Sequence, residues 1–410
     1  MRLIVIAHGL INRSGHHYME ARAFKEEAAK HHLDCTILAH RDVSPSIRDE
    51  LDALPLFRHS PYKQLYKRRC LAPLRDFLAF GRAMSKQLLS LPAETITAAD
   101  ILVCPLTRAR EMLGLAFWLK RTPRKDHPFL ALNFMIDDIS RPFLQPEGRT
   151  VNIAAARFYR FAFKRLRKRL ASERLLLSAG GSAFAQAMTR ILNSPVEVFP
   201  LPVQHEFSSA RGHGPASQQP PLICFLGNMR EGKGSELAGG VIKRVLQHKP
   251  GCRFYLQANP VCWEERWRKE IGPAAMTRVH IHRGELPQEE YQNAMGRADL
   301  VLLPYLPAGY ALQTSGIFSE AMAMGKVSIV PDGTWMADMV LRHKGGGVLF
   351  PRHEVAAISE AILTALEDLP RLSPKMQGIS AMWRESMGMK AFLQRILDAA
   401  GATPDTKSGK

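Results

Sequence analysis

The chain has 410 residues, 46% of them hydrophobic and 23% charged, with 56 Lys and Arg against 38 Asp and Glu and a net charge of +18. This is ordinary globular composition, and the length is too great for one hydrophobic core, so two domains are expected. Cysteines 35, 70, 104, 224, 252 and 262 show no C-x-x-C spacing, which argues against a disulfide framework.

No apolar run reaches the roughly 18 residues that a membrane-spanning helix needs. The apolar opening, residues 3–7, is too short for a signal-peptide core and reads as a first buried strand. Free thiols and no export signal predict a cytoplasmic protein, able to sit peripherally on the cytoplasmic face of a membrane. Further apolar runs at 35–39, 101–104, 129–136, 175–178 and 196–199 read as strands, with helical stretches such as 19–31 between most of them. That is the βαβ rhythm of a parallel sheet covered on both faces.

Strand-end segments in this half carry candidate chemistry. "AHGLINRSGHHYMEARAF" is a strand, a Gly/Asn/Ser loop and a helix. Gly15 permits close backbone approach, and His16 and His17 are candidates for hydrogen bonding. A zinc site is a poor fit, because paired histidine ligands project from one helical face at i, i+4 and adjacent residues do not. His31 and His32 read as a helix end, where histidine suits the C-terminal dipole. "LALNFMIDDIS" puts Asp137 and Asp138 at the end of a buried strand. Asp137 there is either a turn or N-cap acid, or a group that orients an acceptor hydroxyl or the reacting sugar.

The positive excess is uneven: residues 1–200 carry a net +14 and residues 201–410 a net +4. One basic stretch is 61–86, with seven basic residues and one acid. The other, "RFYRFAFKRLRKRL" at 157–170, places Tyr159, Phe163, Leu166 and Leu170 on one helical face and Arg160, Lys164, Arg167 and Lys168 on another. Such a helix either packs on its domain with solvated cations or lies on an anionic leaflet, where each cation adds roughly 1 kcal/mol. The absence of a recognised nucleic-acid-binding motif disfavours nucleic acid as the partner.

"QHEFSSARGHGPASQQPP", residues 204–221, breaks the rhythm and reads as an interdomain linker. A second series follows, with strands at 222–226, 253–257, 278–282, 300–303, 327–330 and 347–350, then helices at 355–369 and 382–399. The expected domains are therefore 1–203 and 222–382, with 383–410 a helix returning to the first domain and a tail. Ligands of open α/β sheets bind beyond the carboxyl ends of strands, which places the expected site in a cleft between the two domains.

Three segments of the second half should meet at such strand ends. In "ICFLGNMREGKGSE", Gly227 turns the chain and Arg230 and Lys233 follow before a helix. This suits a diphosphate, although a solvated turn with surface cations would look the same; the spacing is not that of a P-loop. In "HIHRGELPQEEYQNAMGRADLVLLPY", the turn at Gly284, Glu285 and Leu286 is either an ordinary connection or a platform for a flat base. In "QTSGIFSEAMAMGKVSIVPD", Thr314, Ser315 and Gly316 place free N–H groups at a helix start, and Glu320 lies one turn on. Glu320 is either a surface acid favoured by the helix dipole or a buried carboxylate that needs partners. The vicinal diol of a ribose supplies two.

The ordered segments "GNMREGKG", "RGELPQEEYQNAMGRADLVLLPY" and "TSGIFSEAMAMGKVSIV" resemble the C-terminal domain of nucleotide-sugar glycosyltransferases with the GT-B fold. The likeness is to the large retaining group 1, family 4-like set with an E-x7-E signature. It extends over nearly the whole chain in element order, and its specific motifs lie mostly in residues 223–330. It implies an α/β fold of two Rossmann-like βαβ domains facing a cleft. It also implies donor-diphosphate roles for Arg230 and Lys233, phosphate contacts at Ser315 and Gly316, and the ribose on Glu320; with a nucleotide donor, the turn at Gly284, Glu285 and Leu286 is the candidate for the base. The loop at Gly15, His16 and His17 would face acceptor or donor phosphate, and Asp137 would stand, by position only, where the family often has a catalytic-site His.

The resemblance further implies no cofactor and no metal; the Asp137–Asp138 pair lacks the D-x-D spacing of a metal site. The expected partners are a UDP- or GDP-linked sugar donor and a glycan or lipid-linked acceptor in cell-surface polysaccharide or glycolipid synthesis. One position departs from the signature: Leu312 stands where the first Glu is expected, so the sugar is left open. The alternative is a GT-B-like binding protein without turnover, its basic first domain docking to membrane or nucleic acid. A GT-B-fold epimerase would need an acid/base set for C2 chemistry, and none is evident.

Overall fold

A computed structural model describes residues 1–13, 16–60, 72–135, 153–202, 219–343 and 345–401. The chain divides into two compact units, Met1–Gln204 with Met387–Lys410, and His205–Ser386.

The first unit runs β1 (Arg2–Ala7), α1 (His16–Lys30), β2 (Asp34–His40), α2 (Pro45–Leu51), β3 (Ala53–Phe57), α3 (Ala72–Leu88), β4 (Ile101–Cys104), α4 (Ala109–Leu119), β5 (Phe129–Phe134), α5 (Ile153–Arg167), β6 (Leu175–Ala179), α6 (Ser182–Leu192) and β7 (Glu197–Val198). Its seven strands form one sheet in the order β3-β2-β1-β4-β5-β6-β7, paired in parallel throughout. Strands β4 and β5 are buried at every position, and β1 at all but its first. Helices cover both faces of a parallel sheet, so its inner strands read as continuous apolar runs rather than alternating ones. Strand order reverses between β1 and β4, where the chain leaves β1 for one side of the sheet and β4 begins the other.

The second unit runs β8 (Leu222–Phe225), α7 (Ala238–His248), β9 (Arg253–Ala258), α8 (Cys262–Ile271), α9 (Pro273–Met276), β10 (Val279–Arg283), α10 (Gln288–Arg297), β11 (Leu300–Leu302), α11 (Pro307–Tyr310), α12 (Gly316–Ala323), β12 (Val327–Pro331), α13 (Trp335–Arg342), β13 (Gly347–Phe350), α14 (Val355–Glu367) and α15 (Leu369–Ser386). Its parallel sheet has the order β10-β9-β8-β11-β12-β13, with the reversal between β8 and β11. Such a reversal leaves a crevice beyond the strand ends.

The last helix, α16 (Met389–Ala399), belongs to the first unit. Phe392 is fully buried, edge-on to Phe24 at 6.0 Å and to Phe199 at 5.6 Å. A single helix over 382–399 was the sequence expectation. The structure divides it, because Gly388 at φ 95° turns the chain between α15 and α16. Strand β3 was not anticipated: it is a sheet edge with exposed Leu54 and an interior Pro55, so it lacks the apolar run of an inner strand. The run at 196–199 shrinks to the two exposed residues of β7. The linker 204–221 lies outside the described residues except for 219–221. Among the described residues no helix is long and apolar enough to cross a membrane.

Deleting the Phe392 ring should open a cavity in the first unit. Phe392→Ala is expected to lower stability by about 3–5 kcal/mol in chemical denaturation. A loss below about 1 kcal/mol would show that α16 contributes little to this core.

Candidate functional site

Strand β8 ends at Phe225, and the chain leaves the sheet at Gly227, whose φ of 102° favours glycine. A Cβ there would collide with Ile317 on α12 and lie 3.6 Å from the Lys233 ammonium. The glycine therefore lets the β8 loop, the start of α12 and Lys233 share one place. The buried Gln257, near the end of β9, joins a third segment to these two. Its Oε1 accepts from the Gly227 N–H at 2.8 Å, and its Nε2 donates to the Gly284 carbonyl at 3.1 Å. The β11 exit is tied in by the Leu306 N–H donating to the Gly232 carbonyl at 2.8 Å. The three segments singled out in the sequence thus converge at the strand-order reversal.

The charges there are unevenly matched. Burial first, then the positive charge of Arg230, lowers the Lys233 ammonium to about 8. Among the described residues no carboxylate offsets it. Two tyrosines hold the cations instead: Arg230 donates to Tyr310 Oη at 3.2 Å, and Lys233 Nζ lies 5.3 Å from the Tyr305 ring centroid. The two rings pack together at 4.4 Å.

Glu320 is half-buried on α12. Burial raises its carboxyl to about 7, and a hydrogen bond from Tyr291 Oη to Oε2 acts against that rise. Ser315 is the N-cap of α12, its Oγ accepting from the Phe318 N–H at 3.3 Å, and Gly316 is exposed at the first helical position. The positive end of the α12 dipole therefore faces the same strand ends as the two cations. Leu286 is buried and Glu285 exposed. Tyr291, Tyr305 and Tyr310 were missed in the sequence, because aromatic residues in amphipathic segments read as core.

The remaining candidates belong to the first unit. Gly15, Asp137 and Asp138 lie outside the described residues. His16 and His17 open α1 rather than sitting in the loop, with their rings 4.1 Å apart. The His17 imidazole lies against Gly9, and burial, then the charges of His16 and His8, lowers it to about 3. Among the described residues no three His, Cys, Asp or Glu side chains gather as metal ligands.

A polar network also stands at the strand-order reversal of the first unit. His8 follows β1, and its Nε2 lies 3.4 Å from Oε1 of the fully buried Glu111 on α4. Arg110 Nε donates to Glu111 at 3.3 Å and its guanidinium reaches Asp76 at 3.1 Å, while Glu111 caps its own helix by accepting from the Arg108 N–H at 3.1 Å. Burial alone would raise the Glu111 carboxyl; the neighbouring His8 and the charges of Arg110 and Arg108 outweigh it and hold the group at about 2. The signal available in the sequence was a histidine directly after a buried strand.

Residues 220–368, from β8 to α14, match the family model described as glycosyl transferases group 1. No curated protein sequence matches the chain. A glycosyltransferase from Rickettsia africae is similar in structure, with a TM-score of 0.66 at 11% identity over 97% of each chain. Sucrose-phosphate synthase from Thermosynechococcus elongatus has a TM-score of 0.65 at 14% identity, over 98% of this chain and 100% of that one. Anabaena HepE in complex with UDP and glucose has a TM-score of 0.60 at 14% identity over the same shares. The likeness shows the fold: two Rossmann-like parallel-sheet units, the GT-B architecture.

The Glu111 network carries a pH signature. With the folded carboxyl near 2 against its ordinary 4.5, ionised Glu111 stabilises the fold above pH 4.5, and the contribution is lost as pH falls towards 2. Glu111→Gln should therefore lower the melting temperature at neutral pH and flatten its fall in acid. Superimposable melting-against-pH curves for the two proteins would contradict this.

Proposed function

From the glycosyl transferase match in the second unit, we propose that the chain moves a sugar from a nucleoside-diphosphate donor to an acceptor hydroxyl. The observation that carries the reading is the half-buried Lys233 ammonium with Arg230 for its charged neighbour and, among the described residues, no acid to offset it. An anion relieves both the burial of Lys233 and the mutual repulsion, and a diphosphate can reach both cations.

As the bond from the sugar C1 to the diphosphate oxygen breaks, negative charge builds on that oxygen. Arg230 and Lys233 stabilise it where a metal would otherwise serve. The start of α12 at Ser315 and Gly316 adds its dipole. Glu320 accepts from the ribose hydroxyls, and the turn at Gly284, Glu285 and Leu286 takes the base. The acceptor oxygen forms the new bond to C1, and its proton passes to the departing diphosphate or to solvent. Acceptor positioning is assigned to Asp137 and to Gly15, His16 and His17. UDP is the first nucleotide to test, since the HepE neighbour was solved with it. Retention of configuration is carried over from the family resemblance, and a role in cell-surface polysaccharide or glycolipid synthesis belongs to the same proposal.

Leu312 supports a second reading. An aliphatic side chain cannot accept from a sugar hydroxyl, so a chain that binds nucleotide without turnover is the alternative. Calorimetric titration with UDP and GDP, and transfer assays with UDP- and GDP-sugars, separate the two. Lys233→Ala and Glu320→Ala should each weaken nucleotide binding about tenfold or more. Absence of nucleotide binding, or no change in either variant, would remove the donor reading. Binding without transfer or hydrolysis would favour the second.

A peripheral position on the cytoplasmic membrane face belongs to the same proposal. Tyr159, Phe163, Leu166 and Leu170 are buried, as the periodicity predicts. Arg160, Lys164, Arg167 and Lys168, joined by Arg190 of α6, line an open cavity of about 480 Å³. Neither α5 nor α6 carries an acid. An anionic leaflet, and a lipid-linked acceptor in it, suits that surface. The chain should sediment with anionic vesicles and much less with neutral ones, more weakly as salt rises. Equal, negligible sedimentation with both would exclude the membrane.

A further inference from the structure

The donor reading leaves Tyr291 unused, yet its Oη is the group that hydrogen-bonds Glu320. Tyr291 stands on α10, directly after the Gly284 turn, and Glu320 on α12, so the bond ties the helix behind the proposed base turn to the proposed ribose carboxylate. The groups that bear on Glu320 are few: Tyr291 from α10, and Tyr305 from the β11 exit, whose hydroxyl shares its field. Among the described residues no cation sets its protonation. Burial therefore acts on this carboxyl against one hydrogen bond.

A carboxylate has about four lone-pair sites. Tyr291 takes one on Oε2, which leaves Oε1 entirely for incoming hydroxyls. We propose that Tyr291 is a positioning residue for the donor: its hydroxyl keeps the Glu320 carboxylate ionised and oriented, ready to accept both hydroxyls of a ribonucleoside diphosphate. The inference rests on the donor reading and deepens it. A protonated Glu320 would offer one poorer acceptor and one O–H in place of two anionic oxygens, so nucleotide affinity should rise with pH as the carboxyl ionises through about 7. Without the tyrosine hydroxyl, burial stands unopposed and that window moves to higher pH.

The test is calorimetric titration of UDP, and of GDP, into the full chain, Tyr291→Phe and Glu320→Gln from about pH 6 to about pH 9. Phenylalanine keeps the ring and its packing. The ratio of wild-type to Tyr291→Phe affinity cancels the titration of the diphosphate itself and of Lys233. That ratio is expected to be about ten near pH 7 and to approach one near pH 9, as expected for one hydrogen bond acting through ionisation. Glu320→Gln should bind weakly, with no pH-dependence beyond that of the diphosphate and Lys233. A ratio of one throughout, or a constant loss at every pH, overturns the inference while leaving the donor reading standing. Failure of the unsubstituted chain to bind either nucleotide overturns both.

Discussion

The second unit is organised around a positive charge that no carboxylate among its described residues neutralises. Lys233 is half-buried with Arg230 as its charged neighbour, and burial and repulsion both oppose its protonation. Placing like charges together destabilises a fold unless an anion is part of the working state. The surroundings are built to hold the arrangement: Tyr310 accepts from Arg230, and Tyr305 presents its ring to Lys233. A charge pattern maintained at such a cost is the strongest physical argument for a diphosphate ligand, and the remaining proposed roles are arranged around it.

The sheet supplies the place. Reversal of strand order between β8 and β11 leaves room beyond the strand ends, and Gly227 lets the backbone turn there without meeting Ile317. Gln257 then binds two loops whose backbones would otherwise lack a common partner. Glu320 arrives from α12 with its carboxyl raised by burial, held by a single tyrosine hydroxyl. Lys233 and Glu320 are thus tuned in opposite directions chiefly by removal from water, and both sit closer to neutral pH than they would at a surface.

Much of this was legible in the sequence, and the reasons are physical. A parallel sheet covered on both faces forces its inner strands into apolar runs, which made β1, β4, β5 and β12 plain. Edge strands obey no such rule, so β3 was missed and β7 overdrawn. The paired cations and Glu320 could be read because they follow strand ends or open a helix, where local order implies position. The tyrosines could not, since their roles depend on partners far along the chain. The same holds for His8 and Glu111, brought together only by the pairing of β1 with β4. Asp137 and Gly15 fall outside the described residues, so their assignment to the acceptor rests on the sequence.

The measurement that bears most directly on the paired cations is a crystal structure of the chain with UDP or GDP. Diphosphate oxygens should lie within about 3 Å of Lys233 Nζ and the Arg230 guanidinium. The ribose hydroxyls should meet the Glu320 carboxylate. A nucleotide seated elsewhere, or one whose diphosphate touches neither cation, would contradict the assignment.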